Sequence, residues 1–207
     1  LSTGDIVTTA AGTTATANAV TAFVATAGTL NNGGAVTNFA VNSADAGSTV
    51  NMTLAQAGNG YTLNGGDGVD ILTGSTGADT INGGANTDTL TGGAGADIIN
   101  GGDGADIING GDAIDTIDGG ADADVITGGA GADILTGGTG NDQFTIDSGT
   151  DVIADLATGD IFDVTAGAAF TATLTGAFVA TAASENLGGG AASVAITGFG
   201  GGGADST

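Results

Sequence analysis

Aspartate recurs at a fixed nine-residue spacing through the middle of the chain. Eleven positions of this grid are all Asp: Asp70, Asp79, Asp88, Asp97, Asp106, Asp115, Asp124, Asp133, Asp142, Asp151 and Asp160. Asp could stand there merely because it favours turns, but Asn or Ser would then serve as well at several of these positions, and neither occurs at any of them. The grid therefore favours a position that needs a carboxylate charge. Carboxylates at regular spacing are suited to binding hard cations through oxygen.

The composition narrows the chemistry further. The 207 residues include 23 acidic residues and no Lys, Arg, His or Cys. Without Lys or Arg the chain has no partner for phosphate, which argues against nucleic acid and anionic membrane surfaces as ligands. Without His or Cys there is no His-based triad, thiol nucleophile, ordinary zinc site or disulfide. No apolar run approaches the ~18 residues of a membrane span. We expect neither enzymatic activity nor membrane insertion.

The Asp grid is part of a longer repeat that must position it. Nine-residue units such as GGAGADIIN and GGDGADIIN follow one another without insertion from Gly65 to Thr145. The eighth position is apolar in every unit, and the series extends beyond the units in both directions: Leu54, Leu63, Leu72, Ile81, Leu90, Ile99, Ile108, Ile117, Ile126, Leu135, Phe144, Ile153 and Phe162. One unit buries a single side chain, so only stacked units can form a core.

Each unit divides into a turn and a strand. The first four positions are mostly Gly, which allows positive φ in a tight turn. At the fourth position Asn86, Ala113 and Asp122 replace Gly, and Ala tolerates positive φ least, so the turn at Ala113 is predicted to be the weakest. The last three positions are β-branched or Thr-rich and favour a short strand. Alternation along that strand predicts that the eighth side chain points inward and the seventh and ninth outward.

The unit GG-x-G-x-D-x-U-x, with U a large aliphatic residue, resembles the calcium-binding nonapeptide of the repeats-in-toxin (RTX) family. The resemblance covers Gly65–Thr145, with Asp151–Val164 as a degenerate end. It implies an all-β fold, a right-handed parallel β-roll (a solenoid) in which two consecutive units make one coil. It also implies that the first six residues of a unit bind calcium and the last three form the strand.

The ligands that this resemblance implies are Asp carboxylates and glycine carbonyls. Each ion would lie between units one coil apart, so that Asp70 shares an ion with Asp88 and the series continues to Asp124 with Asp142, roughly seven Ca²⁺ ions in all. Mg²⁺ is disfavoured because it retains its waters, whereas carbonyl-rich loops suit the larger ligand shell of Ca²⁺. The metal ligands are thus predicted to be the eleven grid Asp residues together with Gly66, Gly68, Gly77, Gly84, Gly93, Gly95, Gly102, Gly104, Gly111, Gly120, Gly129, Gly131, Gly138 and Gly140.

The segments on either side of the repeat differ from it in composition. Residues 1–55 are rich in Thr and Ala, and we expect a β segment for assembly or capping; residues 56–164 form the β-roll; residues 165–207 form a β-rich segment that belongs to a type I secretion or assembly region. Strand candidates are Ile6–Thr9, Val20–Thr26, Val36–Val41, Thr49–Leu54, Phe170–Thr175, Phe178–Thr181 and Ser193–Thr197. The Ala content of Ala15–Ala27 leaves a helix open there, and residues 10–18 could equally be a linker. In the transitional unit Gln56–Asn64, Tyr61 replaces the Asp, which predicts a coil without an ion.

These features favour a secreted calcium-binding structural protein that folds on calcium outside the cell and assembles into a bacterial surface layer, filament or matrix. The expected partners are calcium, further copies of the chain and cell-surface glycan, and the expected location is extracellular, at the bacterial cell surface. The alternative is a calcium-binding and secretion module of a larger RTX adhesin or enzyme. Ice binding is disfavoured because the third and fifth unit positions carry no regular file of Thr or Asn.

Overall fold

The chain folds as a parallel β-solenoid. The computed structural model describes residues 14–20, 22–24, 38–43, 47–53, 60–164, 169–174, 185–187 and 193–197, with side chains for residues 22, 40–42, 47–53 and 60–163. The strand candidates Ile6–Thr9 and Phe178–Thr181, and Leu54 of the apolar series, lie outside these residues. In the described ranges there is no helix, and so none that is long and apolar enough to cross a membrane.

Nineteen strands are described. They are β1 (Thr14–Val20), β2 (Ala22–Val24), β3 (Asn38–Ser43), β4 (Thr49–Asn51), β5 (Thr62–Gly66), β6 (Ile71–Thr73), β7 (Thr80–Ala85), β8 (Thr89–Ala94), β9 (Ile98–Asp103), β10 (Ile107–Asp112), β11 (Thr116–Ala121), β12 (Val125–Gly131), β13 (Ile134–Thr139), β14 (Gln143–Ile146), β15 (Ser148–Leu156), β16 (Ile161–Val164), β17 (Ala169–Leu174), β18 (Glu185–Leu187) and β19 (Ser193–Thr197). The segment for which a helix or a linker was open thus holds strands β1 and β2.

The strands form two parallel ladders, one of odd-numbered and one of even-numbered strands, and the start of β15 also pairs with β12. Ile107 pairs with Thr89 on one side and with Val125 on the other, so each coil of the repeat comprises two nine-residue units, as the family resemblance implied. The ladders continue beyond the repeat with longer coils. Ala40 pairs with Thr62 and Thr49 pairs with Ile71, and both pairs are further apart in the sequence than two units. The flanking strands therefore extend the same solenoid.

The core is one column of apolar side chains between the two ladders. The predicted eighth-position residues from Leu63 to Phe162 are all buried, at 4% exposure or less. Met52 and Tyr61 add buried apolar side chains to the column at its N-terminal end. Ile146 and Leu156 add them at its C-terminal end, where the units no longer begin with two glycines. The seventh position points outward as expected: Ile107 is 53% exposed while Ile108, its neighbour, is 1% exposed.

The strands are longer than the three residues that the family resemblance implied. In β10 the ladder runs through Gly110 and Gly111 to Asp112, with Gly111 paired to Gly93 and Gly129. The reason is that stacked glycine pairs continue the ladder into the turn. At the fourth position positive φ occurs in six of the nine units, at three Gly and at the three residues other than Gly with positive φ in the described ranges, Asn86 (73°), Ala113 (83°) and Asp122 (75°).

The substitution Ala113→Gly is expected to stabilise the protein. The left-handed conformation costs a residue with a Cβ roughly 1–2 kcal/mol, and glycine avoids this cost. After glycine's larger loss of backbone entropy, we expect a gain of about 0.5–1 kcal/mol in the free energy of unfolding, measured by chemical denaturation in calcium. The control is Ala105→Gly, exposed in the preceding unit and outside the positive-φ set, which should destabilise by about the same amount. Equal destabilisation by both substitutions would contradict this prediction.

Candidate metal centre

The grid Asp side chains are buried inside the turns. They form two files, one on each side of the solenoid, in which successive members are one coil apart, and each is 5% exposed or less. One file runs through Asp70, Asp88, Asp106, Asp124, Asp142 and Asp160; the other runs through Asp79, Asp97, Asp115, Asp133 and Asp151. Grid aspartates two units apart in the sequence are therefore neighbours in space, as the family resemblance implied.

The Oδ1 atom of each grid carboxylate accepts a hydrogen bond from a backbone N–H of the preceding coil. The backbone N–H of Asp88 donates to Asp106 Oδ1 at 2.8 Å, and that of Asp106 donates to Asp124 Oδ1 at 2.8 Å. At the start of the second file, the N–H of Tyr61 donates to Asp79 Oδ1 at 2.6 Å. Tyr61 thus occupies the Asp position of its coil without supplying a carboxylate. This pattern connects neighbouring coils through one hydrogen bond per unit.

The Oδ2 atoms of the grid carboxylates differ from the Oδ1 atoms in their hydrogen bonding. They are buried and accept no hydrogen bond in Asp88, Asp97, Asp106, Asp115, Asp124, Asp133 and Asp151. An ionised oxygen in that position costs several kcal/mol unless a cation or a proton compensates it. The chain has no Lys, Arg or His to do so. The compensating charge must come from outside the chain.

The first glycine of most units lies directly against that oxygen, because it has no Cβ. A Cβ on Gly101 would collide with Asp106 Oδ2 and with the carbonyl oxygen of Gly119, one coil later. The same arrangement recurs at Gly92, where a Cβ would collide with Asp97 Oδ2 and with the Gly110 oxygen. A carboxylate oxygen and a carbonyl oxygen therefore both lie next to the first glycine, where only a residue without a Cβ fits. This donor set fits a hard cation.

The predicted glycines at the second and fourth positions also face the gap between coils. The carbonyl oxygen of Gly102 points at Gly120, where it would collide with a Cβ, and that of Gly77 points at Gly95, whose Cβ would lie 2.6 Å from it. Within the described ranges no three His, Cys, Asp or Glu side chains cluster as metal ligands. Any ion here would accordingly depend on backbone carbonyls together with the Asp files, a mixture of the kind that Ca²⁺ accepts.

Sequence reasoning did not single out the first-position glycines, whose carbonyl oxygens lie near the first glycine of the preceding coil, or two residues that contact the array, Ser48 and Asp155. Ser48 donates its N–H and its hydroxyl to Asp70 Oδ1, both at 2.6 Å. Asp155 accepts the N–H groups of Gly137 and Gly138 at 2.9 and 2.7 Å. Ser48 precedes Asp70 by more than two units, off the coil spacing of the repeat, and Asp155 stands where the repeat has Gly, so the period carries no signal for either.

A protein-family model matches the array of nine-residue units. The model of the RTX calcium-binding nonapeptide repeat matches in four copies, at residues 64–99, 82–117, 109–144 and 118–153. Residues 64–153 belong to the RTX calcium-binding repeat family. RTX repeats bind Ca²⁺ and are typical of secreted extracellular proteins. The comparisons with curated proteins and with solved structures each gave no match.

Burial raises the pKa of the carboxyl groups in the RTX array. The pKa of Asp97 and Asp124 rises to about 7, and that of Asp88, Asp115 and Asp151 to about 6. Burial is the largest cause, and the repulsion of neighbouring carboxylates adds to it, while the backbone N–H bound at Oδ1 acts in the opposite direction. Without a cation, the folded roll therefore retains protons that the unfolded chain has released.

In metal-depleted buffer the RTX array is expected to lose stability as the pH rises. Between about pH 4 and pH 7 the folded state binds more protons than the unfolded state, so the free energy of unfolding falls with pH. Thermal unfolding followed by circular dichroism should give a higher midpoint at about pH 5 than at about pH 8. A midpoint that rises with pH would contradict the prediction. With calcium in excess the trend should weaken or reverse, because protons then compete with the ion.

Proposed function

We propose that the chain is a secreted structural protein that folds when it meets calcium outside the cell and then assembles with further copies into a surface layer, filament or matrix at the bacterial surface. The observation that carries the proposal is the pair of buried Asp files whose Oδ2 atoms have no cation within the chain. The ligands would be those carboxylates and the glycine carbonyls facing each gap, and we propose roughly seven ions. No catalytic role is proposed.

The Asp carboxylates of the turns would make folding depend on calcium. With calcium scarce, as in a cytosol, the ionised files repel one another and the compact state is unfavourable. Bound Ca²⁺ supplies the positive charge, and its binding free energy becomes folding free energy. The chain could then be exported extended and become rigid only afterwards.

Two features support assembly. At the N-terminal end of the described ladders, β1 pairs with β3 and β2 with β4, and strands of another copy would add to such ladder ends. The absence of Lys and Arg leaves trypsin-like proteases without a cleavage site, a benefit for a long-lived extracellular material.

The test is electron microscopy with sedimentation velocity on purified protein, in millimolar calcium and in chelator. We expect ordered sheets or filaments, or at least discrete oligomers, in calcium, and unassembled chains in chelator. Monomers that fold in calcium without associating would contradict the assembly role and would favour the alternative, a calcium-binding module of a larger protein. Calorimetric titration in the same buffer would count the ions.

A further inference from the structure

Asparagine followed by glycine recurs at the junction between units. Such an Asn stands at the ninth unit position, directly before the first glycine of the next unit, at Asn64, Asn82, Asn100 and Asn109. Glycine has no side chain to hinder its own backbone nitrogen, so Asn-Gly is the pair in which that nitrogen most readily attacks the preceding side-chain amide. Asn32 and Asn59 also precede Gly but lie outside the described residues.

The reaction open to these pairs is deamidation by water. The Gly nitrogen forms a bond to Cγ of Asn, the side-chain nitrogen leaves as ammonia, and a five-membered succinimide ring results. Water then adds to one of the two ring carbonyls and breaks its bond to the ring nitrogen, which gives either Asp or isoaspartate. Each site consumes one water and releases one ammonia, without oxidation or reduction. In isoaspartate the main chain passes through the former side chain and is longer by one methylene group.

The backbone nitrogen that would attack belongs to the sheet in the folded roll. The glycine of each of the four pairs is buried and lies inside a strand, as Gly83 does in β7. At the equivalent unit position, the N–H of Gly74 donates to the carbonyl oxygen of Thr91, one coil later, at 2.8 Å. Closure of the succinimide ring would therefore require this part of the ladder to open.

The side-chain amides on the odd-numbered ladder are held as well. Asn82 Nδ2 donates to Asn64 Oδ1 at 2.8 Å, and Asn64 Nδ2 donates to Asn42 Oδ1 at 2.6 Å. The main chain after Asn82 has no spare room, since a Cβ on Gly83 would lie 2.5 Å from Asp88 Oδ2. A main chain one methylene longer at Asn82 would have to fit against this contact and would shift the register of the following strand. Isoaspartate at this position is therefore incompatible with the roll.

We propose that these four asparagines are sites of deamidation in the calcium-free chain and that folding on calcium protects them. This inference rests on the proposed calcium-dependent folding and adds a time limit to it, because a chain that stays without calcium accumulates isoaspartate and loses the ability to form the roll. Ordinary Asp is the milder product, since Asp118 occupies the same unit position in β11. Refolding is stopped by the lengthened main chain and not by the new charge.

The test is peptide mass spectrometry after incubation at about pH 8 in chelator, in calcium, and in calcium with enough urea to abolish the β spectrum. We expect Asp and isoaspartate at the four sites in chelator and in urea. In calcium alone the reaction should be about a hundredfold slower, because it waits for rare opening of the strand. Asn86 and Asn141, followed by Thr and Asp, are internal controls and should react far more slowly in every buffer, since the next side chain hinders the attack.

Loss of refolding is measured by returning calcium after the incubation in chelator. The original chain should recover its β spectrum only in the fraction without isoaspartate. A variant with all four asparagines changed to Thr, the residue at this unit position in Thr91 and Thr127, should recover it fully. If that variant does not fold, Asn109→Thr alone, which pairs with Thr91 and Thr127, should recover a larger fraction than the original chain. Asn109→Asp should fold in calcium, and its failure to fold would overturn the role given to the lengthened main chain.

The outcomes distinguish this inference from the proposed function. Equal reaction in chelator and in calcium, while circular dichroism shows folding in calcium alone, would overturn the protection, and so would a lack of reaction in urea. A chain with a β spectrum in chelator would contradict calcium-dependent folding. The four sites should then react in urea alone, and reaction of that folded chain at the rate found in urea would overturn the protection too.

Discussion

Removal of calcium at pH 8 is expected to convert the far-UV circular dichroism spectrum of this protein from β-sheet to coil. At that pH the carboxyls of Asp97 and Asp124, whose pKa rises to about 7, are mostly ionised, and so are those of Asp88, Asp115 and Asp151, whose pKa rises to about 6. Each ionised Oδ2 is then buried without a compensating charge, at a cost of several kcal/mol per group. Summed over two files, this exceeds the ~5–15 kcal/mol by which ordinary domains are stable. The transition should be complete and should reverse when calcium is returned.

Two controls separate a specific ion from general charge screening. Sodium chloride at matched ionic strength should restore little β structure, because screening acts poorly on buried groups. Magnesium at the same concentration should be less effective than calcium, since it dehydrates reluctantly. A β spectrum that is the same with and without calcium at pH 8 would contradict the proposed dependence on the ion.

Asp106→Ala is expected to have the largest effect of any single carboxylate substitution. The change removes the acceptor for the buried N–H of Asp88 and deletes a carboxylate in the middle of its file. Breaking one side of a buried ionic contact costs about 3–5 kcal/mol, and here it interrupts the stack with coils on both sides. We expect a higher calcium midpoint and a broader folding transition, measured by circular dichroism during calcium titration.

Two other aspartates give the controls for that experiment. Asp103 is exposed in the same unit, so Asp103→Ala removes one charge and should shift the free energy of unfolding by about 0.5 kcal/mol or less. Asp160 is buried but lies in the last unit of the grid, where it accepts from the N–H groups of Asp142 and Ala157. Asp160→Ala should therefore cost less than Asp106→Ala. Equal losses at Asp103 and Asp106 would show that net charge alone controls folding.

The structure of the repeat could be predicted from the sequence because each unit position has a nearly constant residue type. The inward apolar column and the positive φ at Asn86, Ala113 and Asp122 follow from residue type at a fixed unit position, whereas the coil of two units was implied by the resemblance to the RTX repeat. The orientation of the carboxylates did not follow from the pattern. That Oδ1 binds the preceding coil while Oδ2 faces the first glycine depends on how two backbones stack, and no single unit contains this information.

The structure of the segments on either side of the repeat was harder to predict, because they lack a constant period. Their coils vary in length, since Ala40 pairs with Thr62 and Ala169 with Ser193, and these two steps differ from each other and from the step of the repeat. Composition could indicate strands there, but without a constant period it could not assign partners. Ser48 contacts the array from an irregular coil and was missed with it, whereas Asp155 lies one regular coil after Gly137 and was missed because it replaces the first glycine of a unit.

The hydrogen bonds along the Asp files all run in one direction, so the solenoid has two chemically distinct ends. In each coil of the array an N–H donates to a carboxylate of the following coil. A coil at the N-terminal end must therefore bring donors, and the chain places Ser48 and the Tyr61 amide there. A coil at the C-terminal end must bring acceptors, and Asp147 and Asp155 accept amides of Gly129, Gly137 and Gly138. The two ends are complementary in the way that the two ends of a polar filament are, so coils can be added to either end only by a segment of the matching polarity.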